Sequence, residues 1–302
     1  MVKNTRTFYA LSLLVALGII WGSGYSIAKF AMENGVQPIG YAFWQSLGPA
    51  ILISIIALFS GQFIKCNQQH LRFYFISGLL GIAIPNTNMY FIAPHIPAGI
   101  LAVIVNTVPI LTYPLAILAQ QEYFKWSRFF AVIIGFIGIL LIVLPHKSLP
   151  DIAMTPWALL ALVSPLSFAL CAIYINRARP QNCSALTASQ GMLISSSLLL
   201  IPLTFISHQF YVLTPPFSIA GWIVILEIIL SSIGYVLFFI LLRTAGAVYY
   251  SMVGGIVSIT GLIWAGIIFH EIPNYWSLLA TICIVLAIAL MSFTIRIRQT
   301  LT

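Results

Sequence analysis

The sequence predicts an all-α integral membrane protein with about ten transmembrane helices, arranged as two inverted five-helix repeats. Three observations predict this fold. Hydrophobic residues make up 61% of the 302 residues and charged residues only 6%; the apolar residues gather in ten runs; and the basic residues concentrate at one end of those runs. A soluble domain carries about 25% charged residues, so this chain could not cover a soluble core.

Ten apolar runs, bounded by proline, glycine, asparagine or charged residues, mark the predicted spans. In the first half they cover residues 8–31, 39–60, 72–92, 98–119 and 128–144. In the second half they cover 156–176, 187–207, 217–241, 247–269 and 275–294. Because roughly 20 apolar residues cross a bilayer core, the chain has room for these spans and short loops. We expect a first repeat at 1–148 and a second at 149–302.

The lysines and arginines predict the orientation of the spans. With a cytoplasmic N-terminus, eleven of the 13 basic residues lie at inner ends, namely Lys3, Arg6, Lys65, Arg72, Lys125, Arg128, Arg177, Arg179, Arg243, Arg296 and Arg298. Lys29 and Lys147 lie at outer ends. Adding or dropping one span would destroy this positive-inside bias downstream. The bias therefore supports ten spans, with both termini in the cytoplasm.

A weak internal repeat supports the inverted arrangement. An odd number of spans per half requires that two repeats be inserted in opposite senses. Without gaps, Pro97–Glu122 aligns with Gly246–Glu271, and an aromatic residue followed by serine lies shortly after each glutamate. Ala98 then matches Ala247, and Glu122 matches Glu271.

Several short patterns, in this order and spacing, resemble the EamA-like ten-helix family of the drug/metabolite transporter superfamily. The matching residues are Trp21-Gly22-Ser23, Ile27-Ala28-Lys29, Ala98-Gly99, Pro109, Glu122 and Gly135-Phe136-Ile137-Gly138. The resemblance implies a transporter of the bacterial inner membrane that exports amino acids or related metabolites. In the second helix this chain has Gln45, where such proteins usually carry an arginine.

Glu227 is the clearest candidate for transport chemistry. It lies near the middle of the eighth run, where a charged side chain costs about 2.5 to 3.5 kcal/mol on insertion scales. Ser231 and Tyr235 follow at helical spacing and form a polar stripe with it. Glu227 could bind a substrate ammonium group or take up a proton during the cycle. The alternative is a protonated side chain that bonds to a neighbouring helix.

Further candidates lie on the first, third, fourth and ninth runs. Trp21, Tyr25 and Lys29 share one helix face, and Lys29 could bind a substrate carboxylate, reach the headgroups or pair with Glu33. Polar residues follow Pro85 and surround Pro109, where transporter helices often break. The remaining candidates are Asn86, Asn88, Asn106, Tyr113 and Trp264. Arg243 and Glu271, at helix ends, are assigned to topology.

A transporter explains the inverted halves and the polar faces better than other classes. The five histidines are dispersed, and the sequence carries no HExxH, GxSxG or ATP-binding loop, so neither an enzyme nor a cofactor is expected. Few basic residues lie within spans, which favours a zwitterionic or weakly cationic solute. The partners are this solute and the lipid bilayer, without nucleic acid. The alternatives are an uptake permease for an amino acid, nucleobase or similar metabolite and a non-transporting membrane scaffold or lipid-handling protein.

Overall fold

The computed structural model describes residues 2–143, 148–250 and 252–299, and over these residues the chain is helical without strands. The first half contains the helices Val2–Glu33, Pro38–Phe59, Gln68–Gly78, Ile84–Ile92, Ala98–Val105, Val108–Leu118 and Trp126–Val143. The second half contains Thr155–Ala161, Val163–Ala178, Ala185–Ile206, Ile219–Tyr250, Val253–Phe269 and Tyr275–Gln299. Lys147 lies outside the described residues, as do the side chains of Lys3, Arg6, Arg243, Arg296 and Arg298.

These helices form ten consecutive segments, which we number spans 1 to 10. Each of the other helices is one span, whereas spans 3, 4 and 6 are each built from two α-helices, namely Gln68–Gly78 with Ile84–Ile92, Ala98–Val105 with Val108–Leu118, and Thr155–Ala161 with Val163–Ala178. In the described part of the chain, spans 1 to 8 contain helical stretches that are long and apolar enough to cross a membrane. Two shorter apolar helices, Val253–Phe269 and Tyr275–Met291, belong to spans 9 and 10. The predicted all-α membrane fold is confirmed.

The packing of the spans has the pattern expected of inverted repeats. Span 1 packs against spans 8 and 9, and span 6, its counterpart, packs against spans 3 and 4. Span 2 packs against span 7, and span 5 against span 10. Small residues permit close contacts: a Cβ on Gly99 would lie 2.7 Å from Leu262 Cδ2, so spans 4 and 9 touch almost at their backbones.

Spans 3 and 4 each contain a break in their regular α-helical geometry. A π-helical turn at Leu79–Ala83 precedes Pro85 in span 3, where proline supplies no N–H for the helix. Span 4 is interrupted at Asn106 and Thr107, just before Pro109. The prolines predicted these irregularities, because a proline inside a membrane helix frees carbonyl groups that another donor must satisfy.

Span 8 differs from its predicted length. The sequence predicts a break between 241 and 247, whereas the helix continues from Ile219 to Tyr250. The corresponding segment of the first half contains Pro94 and Pro97, and it is a turn between helices. Residues 241–250 contain no proline and a single glycine, so nothing in the local sequence forces the helix to end.

Candidate functional site

A central cavity of about 780 Å³ lies between the two halves. Spans 1 to 4 and 6 to 9 contribute most of its wall. We call the side of the membrane with the N-terminus the inner side, following the predicted orientation. The cavity extends from Glu122, Arg128 and Arg179, at the inner ends of the spans, to Trp21 and Tyr25 on span 1. We call the end at Glu122, Arg128 and Arg179 the inner mouth and the end at Trp21 and Tyr25 the closed end.

Glu227 lies at the closed end of this cavity. Its side chain is buried, with 7% of the residue exposed, and the Ser231 hydroxyl donates to its Oε1 at 2.7 Å. Gly24 on span 1 faces this carboxylate, and a Cβ at that position would lie 4.0 Å from both carboxylate oxygens. A carboxylate in such a place can hold a cationic group or a proton where few water molecules compete for it.

A chain of polar side chains connects Glu227 to spans 2 and 3. Asn86 Nδ2 donates to Gln45 Oε1 at 2.8 Å, and Gln45 Nε2 donates to Ser231 Oγ at 3.4 Å. Gln45 was not among the predicted site residues. The signal was present in the sequence, since a polar amide lies in the middle of the second apolar run.

Aromatic rings form the rest of the wall at the closed end. The centroid of the Trp21 ring lies 6.3 Å, 6.0 Å and 6.2 Å from the ring centroids of Tyr235, Phe238 and Tyr250, respectively. On the same helix as Trp21, the Tyr25 hydroxyl accepts a hydrogen bond of 3.2 Å from Asn106. An apolar or aromatic body fits against these rings, and their faces also attract a cation.

Gly234→Ala is expected to weaken solute binding about tenfold by displacing Trp21. A Cβ at Gly234 would lie 2.5 Å from the indole Nε1, so the ring must move. The concentration giving half-maximal transport would measure the effect. Gly221→Ala, on the same helix, is the matched control, because its Cβ would meet its nearest neighbour at an ordinary 3.4 Å. Equal affinities for the two variants would contradict a role for the position of Trp21.

Most of the predicted site residues surround this one cavity. Its lining includes Trp21, Tyr25, Asn86, Asn106, Tyr113, Glu227, Ser231 and Tyr235. Three others lie elsewhere. Asn88 donates to the Leu160 carbonyl and to Ser164 in span 6, and Trp264 donates to the Ile19 carbonyl. Lys29 lies at the outer side.

An ion pair lies on the outer side of the molecule, one helical turn beyond Tyr25 on span 1. Lys29 Nζ lies 2.7 Å from Glu271 Oε1, and the two side chains are 13% and 18% exposed. Glu271 also accepts hydrogen bonds from the backbone N–H groups of Ala98 and Gly99, at the start of span 4. One carboxylate thus joins spans 1, 4 and 9. Glu271, which the sequence analysis assigned to topology, therefore also links three spans.

The inner end carries a different set of charges. Arg128 Nη1 lies 3.0 Å from Glu122 Oε2, and its guanidinium carbon lies 5.5 Å from the centre of the Tyr113 ring. Arg179 lines the same mouth. Sequence reasoning assigned both arginines to topology alone. Among the described residues, no group of three or more His, Cys, Asp or Glu side chains could hold a metal ion.

Comparison with known proteins identifies relatives of the chain. The model of the EamA-like transporter family matches residues 8–144 and again 155–293. The protein named "Uncharacterized inner membrane transporter YedA" from Escherichia coli K12 is 31% identical over 169 residues, and the same protein from strain O157:H7 matches equally. The match covers 54% of this chain and 52% of that relative, so the chain spans about half the length of the curated relatives it matches.

A solved structure shares the fold. A protein crystal structure superposes with a TM-score of 0.64, covering 94% of this chain and 96% of that one. The sequence identity is 13%, so the similarity concerns the fold alone.

Proposed function

Because this chain belongs to the EamA-like transporter family, we propose that it is a secondary transporter that moves an amino acid or related metabolite through the central cavity. The proposal places it in the inner membrane and gives it export, from the inner to the outer side, as its direction. The observation that carries the proposal is the buried Glu227 carboxylate at the closed end of a 780 Å³ cavity. Such a group suits a solute that carries an ammonium group.

The two ends of the cavity support alternating access. In this proposal a solute enters at the inner mouth and meets Glu227 among aromatic rings, since residues at both places line the same cavity. Release on the outer side then requires that Lys29 and Glu271 separate, since their ion pair joins the spans that close that end. Rocking of one repeat against the other is the motion that inverted repeats permit.

Energy for uphill transport would come from an ion gradient. Glu227 is the group that could couple flux to protons, by exchanging a proton for the solute ammonium. The Ser231 hydroxyl, which donates to the carboxylate in the structure, can instead accept a hydrogen bond from the protonated carboxyl.

Purified protein in liposomes would test the proposed function. We expect saturable flux of at least one radiolabelled amino acid, and unlabelled metabolites that share its binding site should compete. A proton gradient imposed in either direction should change the rate. Absence of saturable flux for every amino acid, amine and nucleobase supplied would contradict the proposal and favour a scaffold or lipid-handling role.

The alternative direction is uptake. The same two-ended pathway permits import, so the liposome experiment should compare the concentrations giving half-maximal flux from each face. A lower value at the inner face supports export, and a lower value at the outer face supports an uptake permease.

A further inference from the structure

Arg128 differs from the other basic residues at the inner helix ends. Arg72 and Arg177 are exposed, as expected of residues that only set topology, whereas Arg128 is 6% exposed and lines the cavity. In the second half, the residue after the corresponding aromatic-serine pair is Leu278, which is 45% exposed. A buried arginine is therefore present at the inner mouth and not at the corresponding position of the second half. Its burial requires an explanation from its local contacts.

The Arg128 guanidinium group is held in place, but one of its N–H groups has no hydrogen-bond partner among the described residues. Its Nη1 lies 3.0 Å from Glu122 Oε2, whereas the buried Nε is the atom without a hydrogen-bond partner in the described part of the chain. The Tyr113 ring, which packs against the guanidinium group, is held by two hydrogen bonds. Its hydroxyl donates to the Tyr123 carbonyl at 3.2 Å and accepts from Lys125 N at 2.8 Å. A buried donor without a partner costs about 1 to 3 kcal/mol. An anionic ligand would supply that partner.

A second arginine is present at the same mouth. Arg179 donates from Nε and Nη2 to the Cys183 carbonyl at 2.9 and 2.6 Å, which fixes its head at the cavity wall. Two guanidinium groups and the single carboxylate of Glu122 leave this mouth positively charged. The closed end, by contrast, carries the carboxylate of Glu227. The cavity is therefore positively charged at its inner mouth and has a carboxylate at its closed end.

We propose that Arg128 is a binding site for the carboxylate group of the solute at the inner mouth. The proposal rests on the proposed function, in which the solute passes through this cavity. A guanidinium group binds a carboxylate through two parallel hydrogen bonds, and Glu122 occupies one nitrogen of Arg128. The solute carboxylate displaces Glu122, whose side chain is 35% exposed and free to turn outward.

The position of Arg128 makes it an entry site. Tyr113, its ring partner, follows Asn106 by seven residues in span 4, which is about 10 Å along a helix axis. Asn106 bonds to Tyr25 at the closed end, one residue from Gly24 beside Glu227. A small amino acid cannot reach both ends at once. Arg128 therefore selects the carboxylate first, and Glu227 receives the ammonium group later.

Binding of matched acids and amides to the purified protein would test this site. The probes are the amino acids and their carboxamides, which keep the ammonium group and remove the negative charge. Wild-type protein should bind acids about 10- to 100-fold more tightly than amides. Arg128→Gln should lose that preference and keep its affinity for amides. Arg72→Gln, at an exposed inner end, should behave as wild type.

Two further variants separate binding from a structural role. Arg128→Lys keeps the charge without the paired donors, so it should retain part of the preference and covers the case in which Arg128→Gln does not fold. Glu122→Gln removes the competing carboxylate, so it should strengthen acid binding. A purely structural ion pair predicts instead that Glu122→Gln and Arg128→Gln weaken binding alike, and that result would overturn the proposal.

The remaining outcomes distinguish the site from the proposed function. Equal binding of acids and amides by the wild type, with transport intact, overturns the carboxylate site and leaves the transporter standing. If Arg128→Gln kept the preference for acids over amides, the carboxylate site would likewise be overturned and the transporter would stand. Failure of every acid and amide to bind or to be transported overturns the proposed solute class, and the carboxylate site with it.

Discussion

Glu227→Gln should reduce transport by about 100-fold and remove the dependence of its rate on pH. Glutamine has nearly the same shape and can still accept the hydrogen bond from Ser231. It cannot carry a negative charge or a proton, so an ammonium group loses its partner in a buried site. The initial rate of flux into liposomes, measured across a range of pH, checks the prediction.

The control for this prediction is Ser231→Ala, which removes a hydrogen bond and leaves the carboxylate in place. We expect its rate to fall by no more than about tenfold, with the pH dependence kept. Solute exchange without a gradient separates the two roles of Glu227. Exchange that survives in Glu227→Gln points to proton coupling alone, and exchange that is lost points to solute binding. A folded Glu227→Gln protein with wild-type flux and pH dependence would refute both roles.

Lys29→Met should open the outer side of the protein. The substitution leaves the partly buried Glu271 carboxylate without its partner, which costs on the order of 2 kcal/mol and favours a state with water around it by about 30-fold. Ser26 lies between Tyr25 and Lys29, and it is fully buried. In a variant lacking the native cysteines, Ser26→Cys should react with an impermeant maleimide faster once Lys29 is replaced.

Two comparisons control for general loosening of the fold. Glu122→Gln changes the charge at the opposite mouth and should leave the labelling of Ser26→Cys unchanged. Replacing both Lys29 and Glu271 by methionine removes the unpaired charge, so labelling should return part of the way to the starting rate. Slow labelling in Lys29→Met, equal to the parent protein, would show that this ion pair does not hold the outer side closed.

Helical periodicity made much of the cavity predictable. Glu227, Ser231 and Tyr235 recur at intervals of four residues, so one inward-facing residue implies the others. Asn86 and Asn88 show the limit of that reasoning. Two residues apart, they lie on different helix faces, and only a neighbouring span decides which one is inward. Asn86 lines the cavity, and Asn88 bonds to span 6.

Partnerships between distant residues could not be read from the sequence. Lys29 and Glu271 are 242 positions apart, and the sequence offered Glu33 as a nearer partner. Arg128 fitted the positive-inside pattern so well that topology explained it fully. Its burial appears once the spans are packed, because helix ends that contain similar residues can face either water or a cavity.

The unbroken helix of span 8 implies that the two repeats contribute unequally to motion. Pro94 and Pro97 prevent a continuous helix between spans 3 and 4, whereas residues 241–247 are helical and contain no proline that would fix them in one form. If the halves exchange shapes during the cycle, backbone hydrogen bonds must break and reform in the second half alone. One repeat would then stay rigid, and the other would supply the hinge.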